Sequence, residues 1–466
     1  MDGHECVEIR FLQLNAEFRI DAEYFYKNNL KMQALIKSKP HVAIGDIGFV
    51  TDGIHSSIDY DENSGINLIS ATSPRQNVFN LTRNAYISES AHLANPRTAL
   101  QENDVILSTV GTIGNCAVVD SSMLPANSDR HVGIIRLNST INPYVLSTFL
   151  LTKYGRNQTV RETTGNVQPN LFLYKIREIL VPTFVDSFQD TLKNVVLTAQ
   201  ALLKKADKIY SNAEQLLESE IGIDMSAISN GGVAIKSFAE SFGTTARLDA
   251  EYYQPKYDDF EKHVINYKNG YTTPGIEFDQ IKDKCMKDLS EYPYVEIGDI
   301  DIGTGNASFN IVQTDDLPAN AKIMTKRNDL IVSTVRPYRG AVAILHEDDL
   351  LVSGAFTVLR GGSKYPVQTL QVLFRTKLYK DWLLKYNVGT SYPVIKDENI
   401  LNIPIPVLED HIHERIREFV TDSQNTFNRA TSLLECAKFS VEMAIEADEV
   451  TAIKWLESKI EELAKE

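Results

Sequence analysis

Three short runs in this sequence have residue types and spacings that could support chemistry on a nucleotide or a cofactor. Residues 231–237 (GGVAIKS) approach a phosphate-binding loop but lack the glycine before the lysine, so the backbone cannot turn around a phosphate. Residues 142–144 (NPY) lack the second proline of the Asn/Asp-Pro-Pro-aromatic element carried by adenine amino-methyltransferases. Residues 303–305 (GTG) open no helix and indicate a turn. The chain is therefore not expected to be an enzyme.

Histidine and cysteine spacing indicates no metal site either. His411 and His413 favour the solvated start of a helix, because no further ligand pattern accompanies them. The cysteines are far apart and form no Cys-x-x-Cys pair, which argues against a disulfide framework and against structural zinc. They are Cys6, Cys116, Cys285 and Cys436. The sequence predicts neither a metal nor a cofactor.

An internal duplication organises the elements that must position any functional residue. Residues 19–25 (RIDAEYF) recur as residues 247–253 (RLDAEYY), an offset of 228. Residues 103–110 (NDVILSTV) recur as residues 328–335 (NDLIVSTV), an offset of 225. Five later residues recur at an offset of 224: Gly165, Pro169, Ile176, Ile179 and Pro182 match Gly389, Pro393, Ile400, Ile403 and Pro406. The chain is two copies of one unit of about 225 residues.

One identity is rejected as coincidence. The tetrapeptide IGDI occurs at residues 44–47 and again at 297–300. Its offset of 253 disagrees with every other pair.

Each copy begins with short β-branched and aromatic runs separated by turn residues, which predicts a mixed, strand-rich domain. A long amphipathic helix follows in each copy, with apolar positions at alternating spacings of three and four. These positions are Leu192, Val195, Ala199, Leu202, Ala206, Ile209, Ala213 and Leu216, and then Ile416, Phe419, Ser423, Thr426, Ala430, Leu433, Ala437 and Ser440. Each helix could pack on its own domain. The favoured arrangement pairs the two helices antiparallel, with a domain at each end, as a pseudo-two-fold dumbbell.

Composition and charge narrow the function. Hydrophobic residues make up 43% and charged residues 23% of the 466 residues, as in ordinary globular chains. No apolar run approaches a membrane span and the first residues show no export signal, so we expect a cytoplasmic protein without membrane contact. The net charge of −15 opposes DNA binding. However, the net charge is only −2 for residues 42–183 and 0 for residues 280–407, whereas it is −7 for residues 408–466. The negative charge is therefore concentrated outside the two strand-rich segments.

Together these motifs resemble the specificity (S) subunits of Type I restriction-modification systems. That family shows two variable target-recognition domains, each followed by a long helical spacer, and an Arg-x-Asp-x-x-Tyr-Tyr-like opening to each half. It also shows a Gly-rich loop ending in Gln-Pro or a similar pair, followed by Ile-x-x-Ile-x-x-Pro, as at residues 165–182 and 389–406. The resemblance covers nearly the whole chain. It rests on the duplicated order of the motifs.

Two departures accompany the resemblance. Tyr392 stands where the first copy has Gln168, so the second loop need not make the same contacts. The tail after Ala444 adds an acidic helix containing Trp455, which has no counterpart in the first copy. That helix could cap the dumbbell or contact a partner.

The resemblance implies an α+β fold and a non-catalytic, sequence-reading role. Its target-recognition domains would span residues 1–183 and 223–407, with the long antiparallel coiled-coil helices at 184–222 and, together with the acidic C-terminal helix, at 408–466. The chain would read a bipartite double-stranded DNA target. It would direct a pair of adenine methyltransferase (M) subunits and a restriction/translocase (R) subunit to that target, in phage defence through DNA methylation.

The implied chemistry is recognition of base edges in the major groove. Arginine pairs with guanine, and asparagine or glutamine with adenine, each good contact contributing about 1–3 kcal/mol of discrimination. Residues 336–339 (RPYR) are the best candidates, because the proline stiffens a turn that carries two guanidinium groups and an aromatic ring. The full set is Arg75, Thr109, Thr112, Arg130, Asn166 and Gln168 in the first copy, and Lys326, Arg327, Arg336, Tyr338, Arg339 and Ser391 in the second.

Other functions remain open at this point. An S-like subunit of a related methylation-based phage-defence complex would have the same sequence features. A protein-binding scaffold, whose acidic helices dock partners and which never contacts DNA, is an alternative from another class. An enzyme with an unrecognised site is the third.

Overall fold

The structure of the chain is a computed structural model. It describes residues 19–20, 23–81, 84–138, 141–164, 169–223, 225, 228, 233–362, 364–389 and 392–465. The chain forms two compact units. Unit 1 comprises Met1–Leu203 and Asn428–Glu466, and unit 2 comprises Lys204–Phe427.

The first half of the chain alternates short helices and strands before one long helix. Its helices are α1 (Lys27–Lys37), α2 (Ile44–Ile47), α3 (Glu89–Ala94), α4 (Pro143–Leu151), α5 (Lys153–Arg161), α6 (Leu173–Glu178) and α7 (Asp186–Ile221). Its strands are β1 (His41–Ala43), β2 (Gly48–Asp52), β3 (Asn67–Ile69), β4 (Ala85–Tyr86), β5 (Val105–Ser108), β6 (Cys116–Val118), β7 (Ala126–Ser128), β8 (Val132–Leu137) and β9 (Leu180–Pro182).

The second half follows largely the same order, with one more strand and a terminal helix. Its helices are α8 (Phe242–Thr245), α9 (Pro255–Ile265), α10 (Pro274–Glu277), α11 (Val367–Arg375), α12 (Lys377–Leu384), α13 (Asp397–Asn402), α14 (Asp410–Glu446) and α15 (Glu449–Leu463). Its strands are β10 (Tyr271–Thr272), β11 (Phe278–Ile281), β12 (Glu291–Val295), β13 (Asn310–Gln313), β14 (Ala321–Met324), β15 (Leu330–Ser333), β16 (Val342–Ile344), β17 (Leu351–Ser353), β18 (Phe356–Gly361) and β19 (Ile405–Pro406).

The sheets show the duplication directly. Unit 1 has an antiparallel sheet of order β2-β8-β5-β6, a second sheet β4-β3-β7 in which β3 and β7 are parallel, and the pair β1-β9. Unit 2 has β11-β18-β15-β16, then β13-β12-β17-β14, and the pair β10-β19. The prediction of an α+β fold with two mixed domains and long helices is confirmed.

The repeated Asn-Asp pair, residues 103–104 in the first copy, forms the turn before β5. Asn103 has a φ of 72°, in the left-handed region that asparagine tolerates. The next residue, Asp104, is buried and receives two hydrogen bonds from Arg136, at 2.8 and 2.7 Å, and one from the backbone N–H of Gln101. In unit 2 the same roles fall to Asn328, Asp329, Arg360 and Lys326.

Within each unit, α7 and α14 run antiparallel. In unit 1, Glu449, the first residue of α15 and three residues beyond α14, accepts a hydrogen bond from the backbone N–H of Val185, just before α7. In unit 2, Lys268 bridges Glu220 near the end of α7 and Glu409 before the start of α14, at 2.9 Å each. The predicted helix pairing is therefore observed in both units.

The contact line along these helices differs in part from the predicted one. Ile209, Leu216 and Phe419 are only half-buried, whereas Tyr210 and Val420, each one residue later, are buried. A straight α-helix has 3.6 residues per turn, so its buried stripe drifts from a strict heptad. Ser423, a polar residue in the predicted stripe, is buried, and its hydroxyl donates to Ala206 O at 2.9 Å.

His413 departs from the expected solvated helix start. The helix does begin at Asp410, and His411 is exposed. His413, however, is buried, with its ring edge-on to Tyr365 and Nδ1 3.0 Å from the hydroxyl of Thr369. Burial holds the pKa of His413 below its ordinary value.

Two of the runs considered for chemistry have structural roles. Asn142 caps α4, its side chain accepting from the N–H of Tyr144, with Pro143 at the first helical position. The 303–305 run is a turn, because Asp301 accepts from the N–H of Thr304 and Gly305 has a φ of 74°. In the remaining run, residues 231–237, the two glycines at 231 and 232 lie outside the described residues.

The rejection of the IGDI match agrees with the fold. Residues 44–47 form α2, whose counterpart by position is α10, whereas Ile297–Asp299 form a 3-10 helix in another part of unit 2. Gly45 of α2 lies against Arg177, and Gly275 of α10 lies against Leu401. Arg177 and Leu401 are 224 residues apart, so α2 and α10 have equivalent neighbours.

The hydrophobic cores join the domains to the long helices. In unit 1, the predicted acidic tail forms α15, which packs on the core through Ala452 and Leu456, with Trp455 against Phe439. In unit 2, Trp382 lies fully buried in the core. Across the described part of the chain, no helix combines the length and apolar character needed to cross a bilayer.

Candidate nucleic-acid interface

Three chain segments meet where β5 ends in unit 1. Loop 1, residues 164–170, is closed by paired backbone hydrogen bonds between Thr164 and Asn170, at 3.1 and 2.9 Å. Asn170 also bridges to Val110, and the N–H of Leu171 donates to Thr109 O at 3.0 Å. The strand end and the base of loop 1 therefore form one rigid junction.

The same junction exists in unit 2. Loop 2, residues 388–394, is closed by hydrogen bonds between Val388 and Val394, at 2.9 and 3.1 Å. Val394 bridges to Val335, and the N–H of Ile395 donates to Thr334 O at 2.9 Å. Every one of these contacts has its unit 1 counterpart 224 or 225 residues earlier.

Two predicted residues of unit 1 line one groove at this junction. Thr109 and Arg130 lie along a groove of about 390 Å³, together with Asp52, His55 and His131. Thr109 is buried, so only part of its surface is available, whereas Arg130 is exposed and no described residue accepts a hydrogen bond from its guanidinium. Asp52 lies 2.6 Å from His55 Nε2. Arg130 is therefore the unpaired charge of the groove.

The other described candidates of unit 1 lie apart from the groove. The hydroxyl of Thr112 donates to Ala71 O at 2.7 Å, so this side chain is engaged in a hydrogen bond within unit 1. Arg75 is exposed, but the neighbouring Gln76 accepts from Lys438 of α14, so Arg75 lies beside the long helices. Asn166 and Gln168 lie outside the described residues, as does Ser391 in loop 2.

The best candidates of unit 2 form a compact turn against loop 2. Arg336 has a left-handed φ of 49°, and its N–H donates to Pro393 O at 2.8 Å. A 3-10 helix at Pro337–Arg339 follows. The guanidinium of Arg336 lies 5.5 Å from the ring centroid of Tyr392, which is 60% exposed. The turn thus presents cationic and aromatic groups together.

Lys326 and Arg327 lie at the opposite end of β15 from this turn. The backbone N–H of Lys326 donates to Asp329, and that of Arg327 to Asp348. Both residues are exposed. The structure therefore does not bring them together with Arg336, Tyr338 and Arg339.

The sequence reasoning missed an aromatic pair beside loop 1. Phe172 and Tyr174 stack with ring centroids 6.0 Å apart and an interplanar angle of 15°, and both are nearly half exposed. The corresponding residues of unit 2 are Lys396 and Glu398. Since unit 2 folds without aromatic rings there, the fold does not require the pair. No local signal in the apolar run at residues 171–174 (LFLY) distinguishes inward from outward rings.

The chemistry available at these junctions is binding by hydrogen bonds, charge and aromatic faces. No cluster of three or more potential metal ligands occurs in the described residues. Cys116, on β6, is buried, and burial raises the pKa of its thiol to about 12. That thiol is therefore protonated and inert at neutral pH.

Comparison with known proteins yields structural likenesses only. No family model matches the chain, and no curated protein does. The chain is similar to the Type-I restriction-modification system S subunit from M. genitalium, with 10% identity, a TM-score of 0.39, and coverage of 89% of this chain and 95% of that one.

Two further structures are similar to it. One comes from work on the structural basis of complex assembly and conformational transition of the type I R-M system. It has 14% identity and a TM-score of 0.27, and the match covers 89% of this chain and 96% of that one. The other is the HsdS subunit from Thermoanaerobacter tengcongensis, with 13% identity, a TM-score of 0.28 and coverage of 88% and 96%. At these values no residue-by-residue correspondence follows.

Proposed function

We propose that this chain is a non-catalytic subunit that reads a bipartite double-stranded DNA sequence, one half with each unit. The observation that carries the proposal is the pair of matched junctions. Loops 1 and 2 are held by equivalent backbone bonds, yet they are surrounded by different polar, cationic and aromatic side chains. A duplicated scaffold with unlike surfaces suits two unlike half-sites.

The side chains at each junction match the groups that a major groove presents. In unit 2, Arg336 and Arg339 have the planar donors that pair with guanine O6 and N7. In unit 1, Arg130 supplies the same donors, and Phe172 offers an apolar surface of the kind that contacts a thymine methyl group. Asn166, Gln168 and Ser391 remain proposed contacts, as do Arg75, Lys326 and Arg327, which lie away from the two junctions.

The partners follow from the role. As the resemblance to Type I S subunits implies, the chain would direct a pair of adenine methyltransferase subunits and a restriction/translocase subunit to its target, within the cytoplasm. The paired helices α7 and α14 would set the gap between the half-sites. A related methylation-based defence complex would use the same surfaces. A protein-binding scaffold would not need two matched junctions that differ only in their outward side chains.

The test is the methylated motif of a complex reconstituted with the methyltransferase encoded beside this chain. Arg336→Ala and Arg339→Ala should each relax one position of one half-site by about 1–3 kcal/mol, roughly 5- to 150-fold, and leave the other half unchanged. Lys326→Ala, at the far end of β15, is the matched control and should keep the motif. Loss of preference in both halves, or no sequence preference in the wild type, would refute the proposal.

A further inference from the structure

An arginine at the opening of each half reaches the base of the recognition loop in the same half. In unit 2, Arg247 donates to Asn387 O at 2.8 Å, although 140 residues separate the two. The same guanidinium makes a two-bond pair with Asp249, at 2.7 and 2.6 Å, and lies 4.5 Å from the ring centroid of Tyr252. One side chain thus joins the opening segment, residues 247–252, to the segment that precedes loop 2.

Unit 1 repeats the contact. Arg19 donates to the carbonyl oxygens of Arg161 and Thr163, at 3.0 and 3.4 Å. Its guanidinium lies 4.5 Å from the ring centroid of Tyr24, and the guanidinium of Arg161 lies 3.9 Å from the same centroid. Thr163 and Asn387 stand 224 residues apart, as the two loops do. The contact therefore belongs to the duplicated scaffold.

The acceptor carbonyls lie one residue before the loops begin. Thr163 precedes Thr164, and Asn387 precedes Val388, the two residues whose backbone closes loops 1 and 2. On its other side, each loop is fastened to a strand end through Thr109 or Thr334. Backbone hydrogen bonds from Thr163 to Val160 O and from Asn387 to Leu384 O also hold this side, and the arginine adds a side-chain bond that spans from a distant segment of the chain.

We propose that Arg19 and Arg247 are positioning residues that each hold one recognition loop in its reading geometry. The inference rests on the proposed function. Arginine suits the task because its planar fork can serve a carboxylate, a carbonyl and an aromatic face together, which the single ammonium of lysine cannot. We expect the two arginines to act separately, because the carbonyls that each one binds belong to its own unit.

The first experiment measures backbone hydrogen exchange of the full chain without DNA. Arg247→Ala should speed exchange at the N–H groups of Val388 and Val394 about tenfold or more, as expected for loss of one charge-assisted hydrogen bond. Loop 1 should be unaffected, and Arg19→Ala should give the converse. Asp249→Asn, which keeps Arg247 but weakens its anchor, provides an intermediate case if Arg247→Ala fails to fold.

A matched control and a conservative variant separate positioning from general destabilisation. Lys256→Ala removes a cation lying 4.8 Å from the Tyr257 ring in the same segment, without contact to loop 2, and should leave loop exchange unchanged. Arg247→Lys should restore protection only in part. Unchanged exchange in loop 2 of folded Arg247→Ala would overturn the inference, as would equal acceleration throughout unit 2.

The second experiment links loop position to reading. In the reconstituted complex, Arg247→Ala should relax the half-site that Arg336→Ala relaxes, and Arg19→Ala the other half-site. A loosened loop with an unaltered motif would leave the positioning role standing and count against the loops as DNA readers. Failure of the inference and failure of the proposed function thus give different results.

Discussion

Beside loop 1 the chain carries Phe172, and at the same position beside loop 2 it carries Lys396. By contrast, the bonds that support the two loops join equivalent residues, from the Asp-Arg pairs at β5 and β15 to Arg19 and Arg247, which bind the backbone just before each loop. The duplication has kept the groups that fix backbone geometry. The outward side chains have diverged, which is what independent reading of two half-sites requires.

The interior also differs where each domain meets a long helix. In unit 1 this contact is apolar, because Leu151 of α4 and Leu434 of α14 both lie in the hydrophobic core. In unit 2 the matching residues are Arg375, which donates to Ile302 O and Gly303 O, and Tyr210, whose ring lies 4.7 Å from that guanidinium. Burial raises the pKa of Tyr210 to about 12. The two units are therefore alike in topology but not in how they are stabilised, and they can be probed separately.

The largest effect should come from breaking the buried ion pair of one unit. Asp329→Ala removes a carboxylate that is 1% exposed and leaves Arg360 without its partner, which should lower the free energy of unfolding by about 3 kcal/mol. The two tryptophans, Trp382 in unit 2 and Trp455 in unit 1, allow each unit to be followed by fluorotryptophan NMR during urea unfolding. Only the Trp382 signal should shift its midpoint.

Asp104→Ala is the matched variant for unit 1 and should shift only the Trp455 signal, because Asp104 and Arg136 form the equivalent pair. Joint movement of both midpoints in either variant would mean that the units unfold as one, and the comparison would lose its thermodynamic basis.

A smaller effect is expected from the side chains that differ outward. If Phe172 contacts a thymine methyl group, replacing that thymine by uracil should cost the wild-type complex about fourfold in methylation of the half-site, the worth of about 0.8 kcal/mol for one buried methyl. Phe172→Ala should abolish this difference. Lys396→Ala, at the same position in unit 2, should keep it. Equal sensitivity to uracil in wild type and Phe172→Ala would remove Phe172 from the reading surface.

The smallest effect should be a pH dependence confined to unit 2. His413 stands where unit 1 has Gln189, and burial lowers the pKa of the histidine. Its contribution to stability is therefore complete above the ordinary histidine pKa and is lost as the pH falls toward the lowered value, because the unfolded chain binds the proton first. His413→Gln should flatten the dependence of the Trp382 midpoint between pH 7 and 5.

His346 also has a lowered pKa through burial, whereas burial raises the pKa of Asp207 in the same unit to about 6 and acts in the opposite direction, so a residual dependence should persist in His413→Gln. The Trp455 midpoint provides the internal reference and should be the same in both proteins. An identical slope for the Trp382 midpoint with and without His413 would contradict the assignment.

The sequence predicted the features that repeat. Two copies with the same order of motifs were enough to predict the α+β fold and the paired helices, because turn residues such as Asn103 and Asn328 and the apolar stripes have local causes. The buried stripe was misplaced by one residue at Tyr210, since a heptad and a straight helix diverge slowly. At His413 the predicted helix start agrees with the structure, but the predicted solvent exposure does not, because the start of a helix can be read locally and its burial cannot.

The long-range contacts were out of reach. Nothing near Arg247 in the sequence indicates that it binds the carbonyl of Asn387, because that bond exists only once the fold brings the segments together. Likewise, the LFLY run gives no sign that Phe172 and Tyr174 face outward. Of the candidates at the junctions, the sequence identified Arg130 and the 336–339 turn but could not separate them from Lys326 and Arg327, which stand at the far end of a strand.

The division of the chain between the units has a consequence for synthesis. Unit 2 is one continuous stretch, Lys204–Phe427, whereas unit 1 needs Asn428–Glu466 to complete its core. On the ribosome, residues 1–203 must therefore wait with the apolar face of α7 uncovered, and unit 2 can close first. Domains usually fold in the order of their synthesis. Here we expect the order to be reversed, with unit 1 dependent on helical residues that are made after unit 2 and exposed to chaperones in the interval.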